Sequence, residues 1–278
     1  MFAGRKLIIA TKHKKETVMA PILEKELGVK CFIDESFDTD ILGTFTGEIE
    51  RKGTPIATLR EKCIRAMKAN NCDLGVASEG SFGSHPLIPF IHADDEGIIF
   101  IDSKNNIEII AREISMSTNL NGKEIKNQKE LTEFSESTKF PSHALILRKS
   151  RKQNTDIYKG ITEKTELDKI FDFLFSKYGS VYIETDMRAM YNPSRMLVIQ
   201  KATENLIEKI KSLCPHCQMP GWGVTDVIKG LECSLCGNHT DSILSYIYEC
   251  THCHFKKEEM YPHKKTTEEP TYCGYCNP

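Results

Sequence analysis

The last quarter of the 278-residue chain carries four Cys-x-x-Cys pairs: Cys214/Cys217, Cys233/Cys236, Cys250/Cys253 and Cys273/Cys276. No other feature restricts the fold so tightly. A Cys-x-x-Cys turn aims two sulfurs at one point, and two such turns make the tetrahedral four-thiolate site that holds structural zinc. Fifteen residues separate Cys217 from Cys233, and nineteen separate Cys253 from Cys273, both intervals of a zinc ribbon. Two structural zinc ions are expected, shared between consecutive pairs or interleaved so that the first pair meets the third. A redox role gives no reason for repeated pairs at ribbon spacing. The segment is too poor in apolar residues to fold unaided, so metal binding has to supply its folding free energy. His216 and His252, inside the knuckles, are expected to face solvent. Cys31, Cys63 and Cys72 are scattered and read as small core hydrophobes.

The remainder is long enough for one mid-sized domain, so residues 1–213 are expected to form an α/β domain with a mixed sheet in three layers, and 214–278 a tandem zinc ribbon. Hydrophobic content of 40% and charged content of 27% are those of a folded soluble protein, and no apolar run approaches the ~20 residues of a membrane span. The apolar run Leu7–Ala10 is too short for a signal-peptide core and reads as a first strand, which points to a cytoplasmic protein. A formal net charge of -2 gives no overall pull towards nucleic acid or anionic lipid.

Taken in order, Leu7–Ala10 leads through a basic loop, Thr11 to Glu16, into a helix from about Glu16 to Leu27. Gly28 is its C′ residue, and Pro21 calls for a kink or a later start. Val29–Ile33 is a second strand, and Asp34 to Gly53 a long connection with room for a small hairpin. Thr54 as N-cap and Pro55 at N1 open a helix that buries Ile56, Leu59, Cys63 and Met67, with Glu61 and Lys62 pointing elsewhere. It delivers the chain to an apolar run that ends in a small-residue loop, Ala77 to Pro86. Leu87–Phe90, Gly97–Asp102, Ile107–Ala111, His143–Arg148 and Val181–Glu184 read as strands, and Lys149 to Thr155 as a basic surface loop. Thr165 to Asp168 has the form of a capped helix start. Asn192 as N-cap and Pro193 at N1 open a long helix to about Leu213.

Two stretches carry chemistry. In the loop at Ala77 to Pro86, Glu79 is a candidate metal or proton-transfer carboxylate and His85 a second titratable group, with Ser78, Ser81 and Ser84 as donors. Around the start of the long helix, Asp186, Arg188 and Arg195 surround unpaired backbone N–H groups, a good anion site. Arg188 and Arg195 equally suit structural ion pairs with Asp186 or Glu184. Lys12 and Lys15, after the first strand, suit phosphate or a solvated loop.

The motifs Ala10 to His13, Ala77 to Gly83, Asp186 to Ala189 with Asn192, Pro193 and Arg195, and the cysteine tail together resemble an uncharacterised bacterial family, a domain of unknown function ending in zinc ribbons. The first 213 residues are also similar in layout to inosine triphosphate pyrophosphatases and Maf-like nucleotide pyrophosphatases, on Ile8 to Thr11 with Lys15 and Glu16 and on Ala77 to Gly80. That resemblance implies Lys12 and Lys15 on phosphate, Glu79 holding magnesium or activating water, and Arg195 as a late phosphate contact. Ser78 and Glu79 stand where that family has two adjacent acids, and Ile56 and Ala57 where it has another, so Glu48, Glu50 or Glu61 would have to replace it. Two functions follow as expectations. One is a metal-dependent phosphohydrolase acting on a nucleotide or another phosphate ester, with Zn2+ structural and Mg2+ catalytic. The other is a non-catalytic ribbon protein that binds nucleic acid or a protein partner. Acids Glu258, Glu259, Glu268 and Glu269 beside the lysines of the tail count against nucleic acid.

Overall fold

The computed structural model describes residues 1–37, 54–151 and 153–278. The expected hairpin between Asp34 and Gly53, with Glu48 and Glu50, lies largely outside the described residues. Two compact units emerge: Met1–Lys104 with Ile110–Leu206, and Asn105–Ile109 with Ile207–Pro278. Among the described residues no helix is long and apolar enough to cross a membrane.

In chain order come β1 (Lys6–Ala10), α1 (Glu16–Leu27), β2 (Lys30–Phe32), α2 (Pro55–Ala69), β3 (Leu74–Ser84), β4 (His92–Asp102) and β5 (Ile107–Ser115), whose sheet has the order β2-β1-β3-β4-β5. Helix α1 runs through Pro21 without a later start, and Gly28 closes it in the left-handed conformation, φ 67°. The Thr54 hydroxyl accepts from the Ala57 N–H at 3.2 Å and caps α2 as its sequence requires. Strand β1 pairs in parallel with both β2 and β3, so the chain leaves β1 on one side and returns on the other. The crevice between β1 and β3 is therefore a topological switch point, where open α/β sheets bind ligands.

The segment expected as a loop after Ala77 is instead strand: β3 pairs with β4 over eleven residues, from Leu74 opposite Asp102 to Ser84 opposite His92. The antiparallel ladder and the period-2 burial of Ser78 and Gly80 outweigh the poor strand propensity of glycine and serine. Leu87–Phe90, expected as a strand, forms the turn of this hairpin and leaves Leu87 and Phe90 exposed.

The chain continues with β6 (Gly122–Ile125), α3 (Gln128–Ser137), β7 (Leu145–Ser150), β8 (Gln153–Ile161), α4 (Lys164–Tyr178), β9 (Val181–Thr185) and α5 (Pro193–Lys211). The strands form a second, antiparallel sheet in the order β6-β9-β7-β8. Leu131 and Phe134 of α3 and Leu167, Phe171 and Leu174 of α4 pack on Leu145, Leu147, Val181 and Ile183. Where a basic surface loop is expected, Lys149 and Ser150 end β7 and Gln153 to Thr155 begin β8, with Ser150 opposite Gln153. Helix α4 starts after Glu163 with no side-chain cap, so Thr165 does not cap it.

The second unit contains β10 (Val224–Lys229), β11 (Ile243–Glu249) and β12 (Lys256–Met260), an antiparallel three-stranded sheet.

Asn192 is almost fully buried; its Oδ1 accepts from the Arg195 N–H at 3.0 Å, and its Nδ2 donates to Asn119 Oδ1 at 2.8 Å. Replacing Asn192 by alanine is expected to cost about 1–2 kcal/mol in a chemical denaturation curve, the effect of a lost helix cap.

Candidate functional site

At the switch point two lysines converge on Ser78 of β3. Lys15, at the start of α1, donates to Ser78 Oγ at 2.9 Å and lies 3.5 Å from the Ser78 carbonyl. Lys62 of α2 donates to that same carbonyl and to Glu79 Oε2, each at 3.2 Å. The sequence reading turned Lys62 away from the core; it is buried because Leu59 and Ala66, three residues before and four after it, carry it into the packed stripe.

Alternate residues of the β3–β4 ladder face opposite ways. On one face Asp94 and Glu96 of β4 stand opposite Phe82 and Gly80. Glu96 accepts from Arg195 Nε at 2.6 Å and lies 3.5 Å from Lys15 Nζ. Arg195 also donates to the Met187 carbonyl at 2.6 Å and sits over the Phe82 ring, 5.0 Å from its centre. Arg195 and Asp94 are 1% exposed and Glu96 0%, so this face is sealed. Among the described residues Asp94 Oδ1 has no hydrogen-bond partner. Burial, reinforced by Glu96, pushes the Asp94 carboxyl up to about 8, and burial pulls the Lys15 ammonium down to about 8. Three cationic side chains, Lys15, Lys62 and Arg195, thus gather with Glu79, Glu96 and Asp94 around Ser78 and the β3–β4 ladder.

On the other face Glu79, Ser81 and Asp95 line a cavity of about 270 Å³ with Thr54 and Pro55 at the start of α2 and with Arg112. Ser81 stands opposite Asp95, which makes Glu79 and Asp95 diagonal neighbours on one face. Arg112 holds Asp95 through Nε at 2.6 Å.

The remaining candidates fall elsewhere. Lys12 is exposed in the loop before α1. His85 belongs to the hairpin turn, where its Nδ1 accepts from the Leu87 N–H at 3.1 Å; it is six residues beyond Glu79, about 20 Å along the strand. Asp186 is fully buried and closed by Arg188, whose Nε and Nη2 approach its oxygens at 3.0 and 2.6 Å, and by the Gly160 N–H at 3.0 Å. The pairing of Arg188 with Asp186 is the structural alternative weighed above. The partner of Arg195 is Glu96, not Asp186 or Glu184. The α5 N-terminus is no open anion site, because the Ser194 N–H goes to His143 Nε2 at 3.2 Å and the Arg195 N–H to Asn192.

The cysteines gather in two groups, Cys214/Cys217/Cys250/Cys253 and Cys233/Cys236/Cys273/Cys276, with the four sulfurs of each within 4.8 Å of one another. Sulfur separations are 3.8 Å for Cys214–Cys253, 3.6 Å for Cys217–Cys250, 3.9 Å for Cys233–Cys276 and 3.7 Å for Cys236–Cys273. Four thiolates ~2.3 Å from a tetrahedral ion stand ~3.8 Å apart, so each group could hold one metal ion. The pairing is interleaved. Strand β10 carries the chain about 20 Å away from the first knuckle, and antiparallel β11 brings Cys250 back beside it, Val224 lying opposite Tyr248. The fourth knuckle reaches the second through the bridge between Cys233 and Glu268.

The family described as Domain of unknown function (DUF6671) matches residues 62–278. The chain belongs to that family. No curated protein matches it. The DUF6671 match takes in Lys62, Glu79, Asp94, Glu96, Arg195 and all eight tail cysteines.

Two outcomes are expected. A Cβ on Gly80 would clash with both the Glu96 carboxylate and the Arg195 guanidinium; Gly80→Ala should therefore break a buried ion pair and cost about 3–5 kcal/mol in denaturant unfolding. A Cys214→Ser/Cys217→Ser double variant should lose one of two bound metal ions and open Cys250 and Cys253 to alkylation. Cys233 and Cys236 should stay protected in the same mass-spectrometric assay.

Proposed function

We propose that the α/β unit hydrolyses a small phosphate-bearing molecule, a nucleotide or a related phosphate ester, and that the eight tail thiolates hold two structural zinc ions. The observation that carries the hydrolase reading is the meeting of Lys15 and Lys62 on Ser78 beside Glu79, at the β1–β3 switch point and next to the cavity. Two lysine ammonium groups converging on one backbone position favour an anion. Lys62 neutralises phosphate charge close to the reacting centre, and Lys15 supports it from the buried side, held by Glu96 and Arg195. Glu79 is the base that takes a proton from the attacking water as the phosphorus–oxygen bond breaks.

Among the described residues no three carboxylates or imidazoles are gathered for a metal apart from the cysteine groups. Mg2+ is bound by one or two carboxylates together with substrate phosphates. Asp95, on the same face as Glu79, would hold such an ion together with substrate phosphate once Arg112 releases one of its oxygens, and the ion would polarise the phosphoryl group. Arg188 and Asp186 take no part in this arrangement, and Arg195 acts through Glu96 instead of touching the ligand.

The test is turnover by the zinc-loaded chain with Mg2+ on a panel of nucleoside triphosphates, nucleoside monophosphates and sugar phosphates, scored as released phosphate and pyrophosphate. Glu79→Gln should lower turnover by about 100-fold or more, read under conditions where circular dichroism shows the variant folded, because the substitution also weakens the Lys62–Glu79 ion pair. Lys15 is charged below its value of about 8 and neutral above it, so affinity for the anionic substrate should be full at pH 7 and fade as pH rises past 8. No release from any substrate, with wild type and Glu79→Gln alike, would overturn the reading.

A further inference from the structure

The zinc-ribbon unit presents a surface that the proposed hydrolysis leaves unused. Four rings stand in a row: His216 stacks on Phe255 (5.5 Å, 12°), Phe255 packs on Trp222 (5.7 Å, 30°), and Trp222 stacks on Tyr248 (5.7 Å, 23°). His216 and Phe255 are exposed, and Trp222 and Tyr248 are only partly covered. The register adds Tyr246, opposite the exposed Val227, to the face of Tyr248. A contiguous aromatic face of this kind on a small sheet marks a place where something binds.

Charge selects the occupant. From 214 to 278 the chain has five lysines and no arginine against eight carboxylates. Each four-thiolate site with a divalent ion adds about two further negative charges. Such a unit repels phosphate backbones, although its rings could stack on bases. A guanidinium fits both features, since it stacks on aromatic faces and pairs with carboxylates. Glu259, which accepts from the Tyr248 hydroxyl at 2.8 Å, places a carboxylate at the edge of the row.

We propose that this aromatic face of the ribbon docks an arginine-rich segment of a partner protein. The proposal is independent of the hydrolase reading. Trp222 is the only tryptophan of the chain, so its fluorescence reports on the surface directly. The zinc-loaded full chain is titrated with a short arginine–glycine peptide, with the same peptide carrying citrulline for arginine, and with a single-stranded oligonucleotide. The arginine peptide should change Trp222 emission saturably and bind more weakly as salt rises, and the citrulline peptide should bind at least tenfold more weakly. Phe255→Ala and, separately, Glu259→Gln should each weaken the arginine peptide several-fold while two metal ions per chain are retained. Absence of a saturable response to the arginine peptide, equal affinity for the citrulline form, or tighter binding of the oligonucleotide would each overturn the proposal.

Discussion

The contact on which the α/β unit turns is the buried ion pair between Glu96 and Arg195. It joins β4 of the first sheet to the first turn of α5, and through the Met187 carbonyl it also fixes the segment after β9. A buried ion pair contributes little net stability, because desolvating both charges offsets their attraction; breaking one is what costs. Its effect is to specify arrangement. Only glycine fits at position 80 beneath it, only a cap such as Asn192 presents Arg195 at that depth, and the spare side of Glu96 draws Lys15 inward.

That inward pull shapes the site. Lys15 and Lys62 reach Ser78 from different helices, and burial lets their charge act through a low dielectric instead of being screened. The same burial that draws the Lys15 ammonium down pushes the Asp94 carboxyl up. The result is a cluster of cations and acids beside the β1–β3 switch point. Glu79, on the opposite face of the same strand, borders the cavity while Lys62 ties it to the buried side.

Much of this was legible in the chain. The caps at Thr54 and Asn192, the prolines after them and Gly28 located three helix ends, because capping is a local event between residues three apart. Lys15, Glu79 and Arg195 were singled out from strand ends and a helix start, and all three contribute to the charged centre around Ser78 and the β3–β4 ladder. What was missed had non-local causes. Lys62 reads as solvent-facing by residue type, although Leu59 and Ala66 at helical spacing signal the buried stripe. Asp94 and Glu96 belong to the same i, i+2 series as Ile98 and Phe100, a period-2 pattern that puts them on the core face even though acids seldom go there. The glycines and serines of β3 suggested a loop because strand propensity says nothing about the eleven partners that β4 supplies.

The sequence by itself determined that the tail carries eight cysteines in four Cys-x-x-Cys pairs, a ligand set that could hold two ions, since Cys-x-x-Cys geometry is local. It also determined the α/β character of the first 213 residues and where its main helices begin. Only the tertiary structure decided which knuckles share an ion, because a six-residue strand between the first two separates them and the returning strand delivers the third. Only it decided that Arg195 pairs with Glu96, for the partner of a buried charge is chosen by whichever opposite charge the folded sheets bring within reach, ninety-nine residues away in the chain.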